Sequence, residues 1–66
     1  MAIIKVIEVI ASSEQGWEEA TRNAVKEASK TVKNIKSVYV KDQTAIVVGE
    51  NVTQFRVILK ISFEVQ

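Results

Sequence analysis

Residues 54–65 alternate between apolar and polar side chains along their whole length. Such alternation predicts a β-strand with one face in a core and the other toward solvent, because successive strand residues point to opposite sides. A helix repeats about every 3.6 residues and could not gather these apolar groups on one side. The apolar positions are Phe55, Val57, Leu59, Ile61, Phe63 and Val65, and Ile58 is the one apolar residue among the positions between them.

An earlier strand, Ile3–Ile10, is predicted to be apolar on both of its faces. A strand of that kind is normally covered on both sides. Since the chain offers only one helix, we expect another subunit to supply the second cover; the alternative is a set of scattered exposed aliphatic residues. One face carries Ile3, Lys5, Ile7 and Val9, and the other carries Ile4, Val6, Glu8 and Ile10.

A single amphipathic helix follows the first strand. Ser12 is predicted to be its N-cap, with Gln15 completing a capping box, and the helix is predicted to run to about Lys33. Acidic residues near its start and lysines near its end suit the helix dipole. Asn34 is predicted to stop it. The apolar stripe consists of Trp17, Ala20, Thr21, Ala24, Ala28, Thr31 and Val32.

The chain then returns as strand from Ile35 to about Val48, which is rich in β-branched residues. Asp42-Gln43-Thr44 predicts a bend or bulge within it, and Gly49-Glu50-Asn51 predicts a hairpin turn. The predicted order is therefore β-α-β-β. We expect an α+β fold in which a curved three-stranded antiparallel sheet packs on one helix, with residues 1–66 forming a single domain.

Composition excludes several classes of site. The 66 residues contain no cysteine and no histidine, so Ser-His and Cys-His nucleophiles and the usual zinc sites are absent. No nucleophile and base are recognisable as a pair, and we expect no enzymatic activity. A net charge of +1 gives no electrostatic footprint for nucleic acid or a membrane. We expect a cytoplasmic protein without a signal peptide, whose small core gains stability by self-association.

The sequence resembles the dodecins along its whole length. The resemblance implies a hollow, roughly spherical homododecamer built from β-α-β-β subunits. It rests on length, element order and a set of residues together, none of which is very specific alone. These are Lys5-Val6 with Glu8, the Ala11-Ser12-Ser13 corner where the family usually has Gly-Thr-Ser, Ala24, Ala28, Thr31-Val32, Val38, Val40, Asp42-Gln43, and the strand from Phe55 to Phe63-Glu64-Val65.

The resemblance also implies flavin binding, with riboflavin, FMN or FAD stacked in pairs at subunit interfaces. The family's stacking Trp falls on Ser37 here, and the Gln that hydrogen-bonds the ring edge falls on Arg56. Asp42, the counterpart of an acidic residue near the flavin side chain, is retained. Because Ser37 has no ring face, ordinary flavin binding should be weak or lost. Arg56 could instead pair with a phosphate or another anionic small molecule.

The two departures are similar to a flavin-less branch called calcium dodecin, which tends to carry a Trp near the helix start, as Trp17 does here. That similarity implies a structural cage that binds calcium or another cation at subunit interfaces. The acidic residues are dispersed and no EF-hand spacing exists, so the metal ligands stay unassigned. The candidate cofactor-binding residues are Ser37, Tyr39, Asp42, Gln43 and Arg56.

Several of these residues have a structural interpretation as well. Trp17 is predicted to pack in the core or an interface rather than to stack on a ligand. Arg56 could clamp a ligand or pair with Glu8 or Glu64 across strands. Asp42 and Gln43 could hold a cation or a ribityl chain, or form a solvated bulge. On the polar face of the last strand, Lys60 and Glu64 are expected to line an inner cavity or channel.

Overall fold

The computed structural model describes residues 2–65 and has the predicted β-α-β-β order. Its elements are β1 (Ile3–Ser13), α1 (Trp17–Ala28), β2 (Ile35–Val48) and β3 (Asn51–Val65). The three strands form one antiparallel sheet in the order β1-β3-β2. The strand with the strict alternation is therefore the central one, hydrogen-bonded along both edges, while β1 and β2 each keep one edge open.

The core lies between α1 and one face of β3. Val57, Leu59 and Ile61 of β3 and Ala20 of α1 have no exposed surface. The odd-numbered side of β3 thus faces the helix, as its alternation predicts. At the ends of this side the cover thins, and Val65 is 45% exposed. The partly buried residues packed against the core are Val9, Ala11, Trp17, Ala24 and Val38.

The predicted helix start is wrong. Ser12 and Ser13 belong to β1, where they pair with Arg56 and Phe55 of β3. The helix begins only at Trp17, and its N-cap is Gly16 with no side-chain hydrogen bond to the cap. The Ser13 hydroxyl instead accepts a hydrogen bond from the Gln15 amide at 3.0 Å. Pairing with β3 gives the backbone groups of Ser12 and Ser13 hydrogen-bond partners, so they do not need the partners that a capping box would provide.

The helix also ends earlier than Lys33. Its last residue is Ala28, and the chain continues through turns in which the Lys30 and Thr31 amides donate to carbonyls three residues back. The prediction that Asn34 stops the helix is also wrong, because the C-cap is Ser29. Asn34, with a positive φ of 63°, instead lies directly before β2. Its carbonyl accepts from the Glu64 amide at 3.0 Å, which ties the end of the connection to β3.

The β2–β3 hairpin is irregular in register. Its pairing shifts at three places, and the shift between Val40 and Asp42 leaves Lys41 as an extra residue. This confirms the predicted bulge near Asp42, and such irregularities bend and twist a strand. The hairpin turns at Gly49-Glu50, where Gly49 has a positive φ of 64° that glycine tolerates best.

The isolated chain is elongated and its surface is large for its mass. Its principal extents are 51 × 20 × 13 Å and its radius of gyration is 13.5 Å. A compact domain of this length would have a radius of gyration of roughly 11 Å. The accessible surface is 4924 Å², whereas a monomeric protein of this mass exposes about 4,200 Å². No helix within residues 2–65 is long and apolar enough to span a membrane.

Candidate ligand-binding face

The face of the sheet opposite α1 carries most of the predicted site residues; we call it the open face. Residues paired across antiparallel strands share a face, so the register divides it into cross-strand rows. The rows to which all three strands contribute, in the order β1, β3, β2, are Val6–Ser62–Ser37, Glu8–Lys60–Tyr39, Ile10–Ile58–Asp42 and Ser12–Arg56–Thr44.

Four of the five candidate cofactor-binding residues lie on this face, namely Ser37, Tyr39, Asp42 and Arg56. Gln43 pairs with the buried Val57 and so belongs to the side of the sheet that faces α1. Tyr39 is 65% exposed, which leaves an aromatic ring accessible two residues along β2 from Ser37.

Ser37 and Arg56 lie far apart within one chain. Ser37 is level with Ser62 of β3, six residues along the strand from Arg56. At about 3.4 Å per residue, that separation is roughly 20 Å. A planar ring held at both positions therefore needs Ser37 and Arg56 from different subunits. Asp42 is closer, diagonal to Arg56 across the β2–β3 pair at a typical Cα separation of about 7–8 Å.

Arg56 has no ion-pair partner within residues 2–65. Both carboxylates that the sequence suggested for it are paired with lysines. Glu8 Oε2 lies 3.4 Å from Lys41 Nζ, and Glu64 Oε1 lies 3.8 Å from Lys36 Nζ. The cross-strand pairing of Arg56 with Glu8 or Glu64 is thus absent from the structure, and its exposed guanidinium is available to a ligand.

Lys41 was not identified from the sequence. As the extra residue of the bulge it leaves the pairing of β2, and its side chain crosses β3 to reach Glu8 on β1. The only signal in the sequence is a charged Lys41-Asp42 pair inside a strand. Lys60, predicted to line a cavity, lies in the same row as Glu8 and is exposed.

Trp17 packs within the chain. Its ring meets Phe55 edge-on, with centroids 4.9 Å apart and planes at 77°. Its indole N–H donates a 2.9 Å hydrogen bond to the Thr44 carbonyl. These contacts confirm the packing interpretation, and they join the start of α1 to both strands of the hairpin.

Carboxylates do not gather into a metal site within one chain. In residues 2–65 there is no group of three or more Asp or Glu side chains placed to share an ion. Calcium takes about six to eight oxygen ligands. Residues 2–65 of a single chain therefore do not fit a calcium ion, and a site built from them needs oxygen donors from more than one subunit.

An apolar groove lies between β1 and α1. Its volume is about 610 Å³, and its lining includes Ile7, Val9, Ala11, Ala24, Ala28 and Val32. Glu27 and Asn23 also line it. Because it opens along the edge of β1, it offers contact area to another chain.

Comparison with known proteins agrees with this architecture. The dodecin family model matches residues 3–66. The calcium dodecin of Mycobacterium tuberculosis is 32% identical over 66 residues, which are 100% of this chain and 93% of that protein.

Solved dodecin structures superpose closely on this one. Streptomyces coelicolor dodecin gives a TM-score of 0.94 at 29% identity, with coverage of 98% of this chain and 93% of that one. The crystal structure of M. tuberculosis calcium dodecin, described as calcium-chelating with a novel calcium-binding site, gives 0.84 at 31% identity, with coverage of 97% and 91%. Taken with the family model and the shared β-α-β-β fold, these similarities show that the chain belongs to the dodecin family.

Proposed function

We propose that this protein is a dodecin-type cage that binds a small ligand between its subunits and holds ordinary flavins weakly. The observation that carries the proposal is the separation of roughly 20 Å between Ser37 and Arg56 on one chain. A ligand that touches both positions must lie where two chains meet. The cage is proposed to be a homododecamer, as the family resemblance implies.

The exposed apolar surface of β1 supports the assembly. Ile3, Ile4, Val6 and Ile10 are 58%, 51%, 48% and 67% exposed in the isolated chain. Single exposed aliphatic residues are common, but Ile4, Val6 and Ile10 lie on the same face of one edge strand, and Ile3 lies at the end of its other face. Exposed apolar residues grouped in this way are typical of an interaction surface. Burial against other chains would stabilise both the strand and the small core.

We expect weak flavin binding because the side chain of Ser37 is small and not aromatic. A hydroxymethyl group offers no face for stacking, and an aromatic pair contributes about 0.5–1.5 kcal/mol beyond its burial. A pocket that holds two stacked rings loses this contribution twice. Tyr39 is the nearest exposed aromatic ring on the same strand face.

Fluorescence titration tests the ligand. With the wild-type protein, micromolar riboflavin should stay largely unquenched, since stacking is what quenches it. Ser37→Trp should restore quenching, whereas Ser29→Trp, the same exchange at an exposed position after α1, should not. Strong quenching by the wild type, or none by Ser37→Trp, would contradict the proposal.

Size-exclusion chromatography with light scattering tests the assembly separately. A particle of twelve 7.4 kDa chains is expected. A monomer at micromolar concentration would overturn the cage.

A second candidate is a flavin-free cage that binds calcium between subunits. The observation in its favour is the 32% identity with M. tuberculosis calcium dodecin. Calorimetric titration of the assembled particle with calcium, against magnesium as control, tests it. Selective calcium binding without any response to flavins would favour this candidate over the first.

A further inference from the structure

Near the end of β1, the open face carries a row of three polar side chains, Ser12, Arg56 and Thr44, one from each strand. Arg56 is paired with Ser12 on β1 and with Thr44 on β2. Side chains opposite each other in such pairs have Cβ atoms about 4.5–5.5 Å apart. The arrangement places a guanidinium between two hydroxyl groups on one side of the sheet.

All three groups have unused hydrogen-bonding capacity. Within residues 2–65, Arg56 lies near no carboxylate at ion-pair distance, and neither the Ser12 nor the Thr44 hydroxyl makes a hydrogen bond to the protein. The other arginine, Arg22, is held by Glu18 at 2.6 Å on the helix surface. Arg56 is thus the arginine whose planar guanidinium is open to an external anion.

The backbone on both sides of the row is anchored. Next to Ser12, the Ser13 hydroxyl accepts from the Gln15 amide at 3.0 Å. On the other edge, the Thr44 carbonyl accepts from the Trp17 indole at 2.9 Å. These bonds use the Ser13 hydroxyl and the Thr44 carbonyl, and they leave the Ser12 and Thr44 hydroxyls free. The backbone of the row is therefore held in place without a ligand.

The adjacent row supplies an apolar surface. Ile10 and Ile58 are paired there, and Ile10 is 67% exposed. An aromatic ring lying on these side chains would have its substituent directed toward Arg56, one row away, about two residues or 7 Å along the strands.

We infer that the Ser12–Arg56–Thr44 row binds the phosphate group of a phosphate monoester whose aromatic part lies over Ile10 and Ile58. A guanidinium contacts two phosphate oxygens at once, and hydroxyl groups can donate to the others. The inference rests on the proposed function and specifies its ligand class. A neutral ring edge would be bound by an amide such as Gln, whereas Arg56 favours a phosphate. The competing arrangement is an Arg56–Asp42 ion pair that occupies the guanidinium without any ligand.

Riboflavin and FMN form a matched pair of probes, because FMN is the phosphate monoester of riboflavin. Binding to the assembled particle is measured by equilibrium dialysis at low salt. FMN should bind about tenfold more tightly than riboflavin, the effect of hydrogen bonds to a charged group. Arg56→Gln should reduce this preference to about one by weakening FMN binding while riboflavin binding persists. A preference lost only because riboflavin binds more tightly, through the amide that other dodecins have here, would overturn the inference. Arg22→Gln, which removes the helix arginine, should leave the preference unchanged.

Asp42→Asn separates the inference from the competing ion pair. A larger FMN preference in this variant supports an anion at Arg56, because a nearby negative charge has been removed. Equal affinities for FMN and riboflavin in both the wild type and Asp42→Asn would overturn the inference, whereas the proposed cage is tested separately, by light scattering.

Inorganic phosphate distinguishes the two sources of the anion. Phosphate that binds as tightly as FMN shows that no ring lies on Ile10 and Ile58, which overturns the inference. If neither flavin binds, the phosphorus resonance of inorganic phosphate decides. Broadening by the wild type that Arg56→Gln abolishes supports the phosphate row, and no broadening overturns it.

Discussion

Two strands of similar apolar content reach different degrees of burial in this molecule. The helix-facing side of β3 is sealed at its centre, where Val57, Leu59 and Ile61 have no exposed surface. On β1, by contrast, Ile4 and Ile10 remain 51% and 67% exposed. Two causes combine. Ile4 and Ile10 lie on the open face, which α1 does not cover, and β1 is an edge strand with a neighbouring strand on one side only, whereas β3 lies between both other strands.

The comparison shows which apolar residues a single chain can bury by itself. A single helix of twelve residues covers the middle of one sheet face and no more. We expect other subunits to cover the apolar residues that α1 does not reach. Stability in the centre should therefore depend on the fold of one chain, and stability at β1 on assembly.

The largest expected effect is at the centre. Leu59→Ala should lower the free energy of unfolding by about 2–5 kcal/mol, because it removes a fully buried side chain and leaves a cavity. Denaturant titration followed by circular dichroism measures the loss. Val52→Ala, at a position 51% exposed on the same strand, is the control and should change it by less than about 0.5 kcal/mol. A cost for Leu59→Ala no greater than that of Val52→Ala would contradict the description of the core.

The second effect concerns β1. Ile4→Lys should leave the fold of a single chain nearly unchanged, since the side chain is 51% exposed there, but should disrupt the assembled particle by burying a charge. Light scattering should then report smaller species with native circular dichroism. Gln15→Lys adds the same charge in the exposed segment before α1 and should leave the particle intact. An unchanged particle in Ile4→Lys would mean that this face of β1 is not an interface.

Much of the fold follows from local patterns. The strict alternation of residues 54–65 predicted which side of β3 is buried, and Ile35–Val48 was predicted with the bounds that the structure has. The bulge near Asp42 and the turn at Gly49 came from residue types that local backbone geometry selects. Local chemistry and the tertiary structure agree at these positions.

The errors occur where long-range contacts override local preference. Ser12 has the chemistry of an N-cap, yet its pairing with Arg56 extends β1 and delays the helix to Trp17. Lys41 reaches Glu8 across 33 positions of sequence, a contact that depends on the bulge. For the candidate site, sequence supplied residue types, but only the register showed that Arg56 lies between two hydroxyls and far from Ser37.

The smallest expected effect is at the edge of the buried core, where Trp17 joins the start of α1 to the β2–β3 hairpin. Trp17→Phe keeps an aromatic ring beside Phe55 but removes the N–H that donates to the Thr44 carbonyl. We expect a loss of about 0.5–1.5 kcal/mol in the free energy of unfolding, the usual net contribution of one hydrogen bond. Tyr39→Phe is the matched control, because it also removes one polar group from an aromatic residue, here one that is 65% exposed. If Trp17→Phe costs no more than Tyr39→Phe, the indole hydrogen bond does not stabilise the fold measurably, and the edge-on contact with Phe55 alone holds the start of α1 to the hairpin.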